Sequence, residues 1–200
     1  MKKIRMVAGP NGAGKTTMAY ALITDLEGVY EEFLNADEIA RGLSPMRPES
    51  VSLEASKLML KRFRFCLEER KSFIFETTGS AKTYDKYLSE AKNVGYEINL
   101  LFLWLSSPDQ AVKRVASRVK QGGHNIPKED IIRRYYRGLK NLLEIYLPLA
   151  DSAYILDSSM PESGIGKIIA KKEHKKSLLV EDKEIWEQIQ RDAECQNLTR

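Results

Sequence analysis

Residues 9–17 read Gly-Pro-Asn-Gly-Ala-Gly-Lys-Thr-Thr and meet the pattern G-x-x-x-x-G-K-[ST] at each fixed position. Glycines let such a loop wrap with its N–H groups pointing inward, and a helix starting at the lysine adds the positive end of its dipole. A polyphosphate can then replace water around those donors. Gly9, Pro10, Asn11, Gly12, Ala13, Gly14, Lys15, Thr16 and Thr17 are therefore expected to cradle a nucleoside triphosphate, taken as ATP. Lys15 would reach its β and γ phosphates, and Thr16 would ligate Mg2+. The competing reading, a glycine-rich turn capping an ordinary helix, fits less well, because an apolar run precedes the loop and a helical pattern follows it.

Two acids fall where a neighbouring strand should end. Asp37 follows Phe33-Leu34-Asn35-Ala36, on the edge of an α/β sheet where ligand crevices open. An aspartate there can take the proton from a hydroxyl as its oxygen attacks a γ phosphate in line. It can equally be an N-cap for a short helix from Glu38. Glu76 ends the apolar run Phe73-Ile74-Phe75 and precedes Thr77-Thr78-Gly79. It could hold the magnesium hydration shell or accept from a substrate, with Thr78 beside it as a hydroxyl donor. The plainer alternative is a strand end dissolving into a polar turn.

Positive charge concentrates between Lys113 and Lys140. Arg114 and Arg118 share the helix face opposite Val112, Val115 and Val119, and neither has an acid three or four residues away. That favours an external anion as their partner, as when arginines close over a transferring phosphoryl group; a solvated helix face is the alternative. Gly122-Gly123 reads as a hinge, with His124 after it and Arg134 further on. Tyr135 and Tyr136 fall near a helical stripe of Ile132, Leu139, Leu142 or Leu143, and Tyr146, so they read as core and not as a platform for nucleic-acid bases.

The elements that must position these residues alternate in the manner of an α/β domain. Five strands centre on Ile4 to Ala8, Phe33 to Asn35, Phe73 to Phe75, Ile98 to Leu105 and Ala153 to Leu156. Helical stretches run from Lys15 to Leu26, from Glu38, from about Glu49 to Glu69, through Tyr84 to Asn93, and from about Pro108 and Pro127. From Gly164 onward, a hairpin (Lys167 to Ala170, Ser177 to Val180) and a helix through Ile185 to Ile189 are expected. The implied architecture is a P-loop three-layer sandwich on a five-stranded, mostly parallel sheet. It forms one domain over residues 1–200, with a lid at about 108–140 and a C-terminal hairpin and helix at about 164–200.

At 200 residues and 42% hydrophobic, the chain can bury one substantial core. Its 32 basic and 28 acidic residues leave a net charge of +4, too small to call for nucleic acid or a membrane surface. Cys66 and Cys195 stand far apart without further ligands, which excludes a disulfide scaffold or a zinc site. Neither a signal peptide nor a membrane-spanning run is legible, so a cytoplasmic protein is expected.

Four features in order, Gly9 to Thr17, Asn35-Ala36-Asp37, Phe75-Glu76-Thr77-Thr78, and the segment from Arg114 through Gly-Gly-His-Asn-Ile-Pro to Arg134, resemble the zeta toxin family of P-loop kinases over roughly residues 4 to 158. The resemblance implies phosphoryl transfer from ATP with Mg2+ to a hydroxyl of a small molecule, in the better-known members a UDP-activated amino sugar. By that resemblance Asp37 is the general base, and Glu76 and Thr78 line the acceptor site. Arg118 with Arg114 supplies the lid cations. His124 stands where the large toxins carry a second lid arginine, which makes Arg134 a substitute candidate. The resemblance also implies a separate antitoxin chain as partner. Two other readings remain open: a kinase for an antibiotic or a nucleic-acid end, and a nucleotide-dependent binding module that docks a partner through its tail.

Overall fold

The computed structural model of the chain describes residues 1–24, 32–122, 125–160, 166–174 and 176–195. Expectations on Gly123, His124 and the end of the first helix beyond Thr24 fall outside these. Strands β1 (Lys2–Ala8), β2 (Glu32–Leu34), β3 (Phe73–Thr77), β4 (Tyr96–Trp104) and β5 (Ser152–Asp157) alternate with helices α1 (Lys15–Thr24), α2 (Ala36–Leu43), α3 (Ser52–Glu68), α4 (Thr83–Asn93), α5 (Pro108–Lys120) and α6 (Lys128–Asn141). A 3-10 turn, Pro48–Val51, leads into α3, and a π-helical turn, Leu142–Tyr146, leads from α6 into the short α7 (Leu147–Leu149). The chain then adds β6 (Lys167–Lys172), β7 (Leu179–Val180) and α8 (Lys183–Glu194).

Spatially the strands run β2-β3-β1-β4-β5-β6-β7. The first five are parallel, and β6 and β7 are antiparallel additions. The three-layer α/β sandwich and the tail hairpin of β6 and β7 are thus as expected, but the hairpin joins the main sheet. Its strands extend the main sheet to seven, because Ile169 and Ala170 bury their side chains in the common core.

Side-chain alternation along the central strands assigns the layers. Val7 and Ile74 face α1 through Ala19, Leu22 and Ile23. Ile4, Met6, Phe73 and Phe75 belong to the main core. There Phe63 of α3 meets Phe73 and Phe75 at ring-centroid distances of 4.8 and 5.2 Å. Each such fully buried aromatic contributes on the order of 2–3 kcal/mol by burial. On α6 the buried stripe begins at Ile131, one residue before the expected Ile132, and continues through Tyr135, Leu139, Leu142 and Tyr146. Among the described residues no helix is long and apolar enough to cross a membrane.

A polar clamp fixes the far end of β4 and β5. The Asp151 carboxylate accepts from Ile98 N–H at 2.9 Å and from Lys92 Nζ at 3.0 Å. Burial pushes the Asp151 carboxyl up, but these two donors outweigh it and hold it below the usual carboxylate range. Such a group stabilises the fold above its ordinary pKa of about 3.9 and loses that contribution as pH falls through its lowered folded value. Asp151→Asn is expected to cost about 1.5–3 kcal/mol at neutral pH. In urea unfolding, its gap from the parent protein should close progressively below about pH 4.

Candidate active site

Gly9 leaves β1 with φ +143°, and an added Cβ would come 2.3 Å from the Leu103 carbonyl oxygen of β4. Only glycine lets the loop leave the strand this close to its neighbour. Gly14, at φ +85°, has open space where its Cβ would stand. Its left-handed backbone leads into α1, whose N-terminal N–H groups and dipole suit a polyphosphate. Within the loop, Ala13 N–H donates to the Pro10 carbonyl, and the Asn11 side-chain oxygen is buried without a partner. Thr17 is exposed on the first turn of α1.

The buried Lys15 ammonium donates to the Pro10 carbonyl at 3.0 Å and lies 3.9 Å from Glu76 Oε1. Glu76 is the penultimate residue of β3, paired in register with Val7 of β1, so the parallel sheet sets carboxylate and loop side by side. Its Oε2 accepts from the Thr16 hydroxyl and from Asn35 Nδ2, each at 2.8 Å. Burial pushes the Lys15 pKa down against the pull of Glu76 and Asp37. It pushes the Glu76 carboxyl up against Lys15 and Thr16.

Asn35 settles one choice the sequence left open. The cap of α2 is Asn35, whose Oδ1 accepts from Asp37 N–H at 2.8 Å and Glu38 N–H at 3.3 Å. Asp37 is therefore not the cap, and its side chain lines the cleft. The spacing of Asn35 and Glu38 is a capping-box signature that the sequence offered.

A cleft of about 600 Å³ brings together Asn11, Lys15, Asp37, Glu76, Thr78, Arg118 and Arg134. Arg114 is not among its walls. Its guanidinium donates to the Ser159 carbonyl at 2.9 Å and the Gly12 carbonyl at 3.3 Å, tying α5 to the loop and to the segment after β5. This differs from the expected lid role: Arg114 finds backbone carbonyls inside the chain in place of an external anion. His124 lies outside the described residues.

Three contributors went unread in the sequence. Arg41 of α2 lines the cleft. Asn141 Nδ2 donates to the Gly79 carbonyl at 2.9 Å, and the Tyr146 hydroxyl donates to the Ala81 carbonyl. The last two brace the segment carrying Thr77 and Thr78 from behind. The π turn that sets their phase carries no local sequence signal.

Among the described residues no group of three or more His, Cys, Asp or Glu could hold a metal alone. The Thr16 hydroxyl and the Glu76 carboxylate, 2.8 Å apart, are hard oxygen donors of the kind that could hold Mg2+ if phosphates and water completed its shell.

Fold, loop and acidic strand end define a P-loop protein of kinase-like architecture. The zeta toxin family model matches residues 1–151, and the chain belongs to that family. An uncharacterised protein of Haemophilus influenzae is 27% identical over 128 residues, 64% of this chain and 88% of that protein. Among solved structures, the AvrRxo1-ORF1:AvrRxo1-ORF2 complex with sulphate ions matches at TM-score 0.71 and 18% identity, over 94% of this chain and 63% of that one. This chain thus spans less than two thirds of that relative. The PezAT chromosomal toxin–antitoxin system of Streptococcus pneumoniae matches at TM-score 0.64 and 14% identity, over 97% and 84%.

Two variants probe the cradle. Gly14→Ala should keep the fold at a cost of about 1–2 kcal/mol for its left-handed φ, and calorimetry should find ATP binding weakened, since relief of that strain re-aims the loop N–H groups. Glu76→Gln should lower Mg2+-dependent turnover about 10- to 100-fold. In the parent protein, kcat/KM for MgATP should fall as pH drops through a Glu76 pKa lying above the ordinary value of about 4.3, and the variant should lack this limb.

Proposed function

We propose that the protein transfers the γ-phosphoryl group of ATP, with Mg2+, to a hydroxyl of a small molecule. The observation that carries this is the convergence of Lys15, Asp37, Glu76, Arg118 and Arg134 on one cleft. Lys15 holds the terminal phosphates, and Thr16 with Glu76 would hold the metal. Bound Mg2+ would neutralise phosphate charge as it develops. Asp37 accepts the proton of the attacking hydroxyl. A new P–O bond forms at the γ phosphorus, the bridging β–γ P–O bond breaks, and its electron pair leaves on ADP. Arg118, with Arg134, balances negative charge on the transferring group.

The structure offers less support for a nucleic-acid acceptor and for a binding module that docks through its tail. Tyr135 is buried with its hydroxyl on the Leu105 carbonyl, so it offers no stacking face to nucleic-acid bases. In the tail, Ile169, Ala170, Ile189 and Ala193 are buried in the core, so these apolar residues already have their partners within the chain. A separate antitoxin chain covering the nucleotide cleft is also proposed, in keeping with the toxin–antitoxin system among the relatives.

Asp37→Asn should lower kcat for acceptor phosphorylation by about 10²- to 10⁴-fold, while calorimetric affinity for ATP stays near that of the parent protein. Equal acceptor-dependent ATP consumption by both proteins would remove Asp37 from the role of base.

A further inference from the structure

Asn35 stands between the two acids assigned to the metal and to the base. It follows β2, whose register with β3 sets Phe33 beside Ile74 and Leu34 beside Phe75; carried one residue further, that register sets Asn35 beside Glu76. The side chain is buried, 5% exposed. Its Nδ2 donates to Glu76 Oε2 at 2.8 Å, while its Oδ1 accepts from Asp37 N–H at 2.8 Å and from Glu38 N–H at 3.3 Å. These partners fix which way the amide points. Turned over, it would set oxygen against carboxylate and N–H against N–H.

An amide is planar, so its two ends cannot be aimed independently. A movement of Nδ2 with Glu76 turns Oδ1, and Oδ1 holds the first turn of α2, which carries Asp37. The two acids belong to separate elements and repel each other, Asp37 acting to raise the Glu76 pKa. A third carboxylate at position 35 would add to that repulsion. A lysine there would pair with an acid and leave the α2 N–H groups without an acceptor. A buried group that donates to one acid, accepts from the backbone of the other and carries no charge meets both needs.

We infer that Asn35 is a positioning residue for phosphoryl transfer, linking the carboxylate offered to Mg2+ with the helix turn that aims Asp37 at the acceptor hydroxyl. It acts through Glu76 on the metal and through the first turn of α2 on the base. The inference rests on the kinase reading and adds to it one residue with two separable duties.

Two substitutions divide those duties. Asn35→Ser keeps a hydroxyl that can cap α2 but is too short to reach Glu76, whereas Asn35→Ala removes both contacts. In the nucleotide-free proteins, amide hydrogen exchange at Asp37 and Glu38 should stay slow in Asn35→Ser and quicken about fivefold in Asn35→Ala, as for a lost helix cap. Calorimetry of ATP with and without Mg2+ reads the other duty. The gain in ATP affinity that Mg2+ brings should shrink about tenfold in both variants, while affinity for metal-free ATP stays near that of the parent protein.

The rate of label transfer from γ-labelled ATP to the metabolites of a cell extract then supplies a double-mutant cycle. Asn35→Ala should be slower than Asn35→Ser by about tenfold or more, the effect of a misplaced base. In the Asp37→Asn background the two should run alike, because nothing is left for the cap to aim. A residue that only held the fold together would give the same ratio in both backgrounds. That equal ratio, an unchanged Mg2+ gain in both variants, or exchange in Asn35→Ala as slow as in the parent protein overturns the inference and leaves the kinase reading intact. No labelled metabolite from the parent protein in any extract overturns both.

Discussion

An ammonium and a carboxylate, taken largely out of water 3.9 Å apart, are the constraint on which the site depends. Neither Lys15 nor Glu76 is at ease there: burial pushes each toward its neutral form, and each partly holds the other charged. Buried pairs of this kind contribute little net stability because desolvation offsets attraction. Their use is readiness. Lys15 and the Thr16–Glu76 pair are held where a polyanion and a hard cation would each relieve a charge left imperfectly matched.

The surrounding frame exists to keep that pair in place. Strand β3 pairs with β1 in a register that sets Glu76 beside Val7, just before the loop. Asn35 uses both ends of its amide, one capping α2 and the other holding Glu76. A single side chain thereby fixes the carboxylate and the helix that carries Asp37. From behind, Asn141 and Tyr146 hold the carbonyls of Gly79 and Ala81, and Arg114 locks the loop to the segment after β5. Precision of this kind comes from polar groups that are spent on the protein and so cannot also serve the ligand.

The tail follows the same economy. Without β6, the outer edge of β5 would stand open, an arrangement that invites pairing with other chains. The antiparallel strand covers that edge, and α8 packs against α6, where the Tyr135 hydroxyl meets the Leu105 carbonyl and Asp192. Helix α6 therefore stands on a base completed by the last part of the described chain.

What the sequence by itself determined was local. The loop from Gly9 to Thr17 carries its own glycines, the strands carry their own apolar runs, and Asp37 follows one strand while Glu76 closes the apolar run of another, so their place at one sheet edge was legible. Arg114 and Arg118 mark the limit. Four residues apart, they sit about 6 Å apart along one helix face, and periodicity assigns both to that face without distinguishing them. Only the packing of α5 against Gly12 and Ser159 turned Arg114 to backbone carbonyls and left Arg118 on the cleft. The same holds for Asn141 and Tyr146, whose partners lie 62 and 65 residues away. Spacing along the chain encodes what neighbours do to each other; which remote groups desolvate one another is decided by how the layers close.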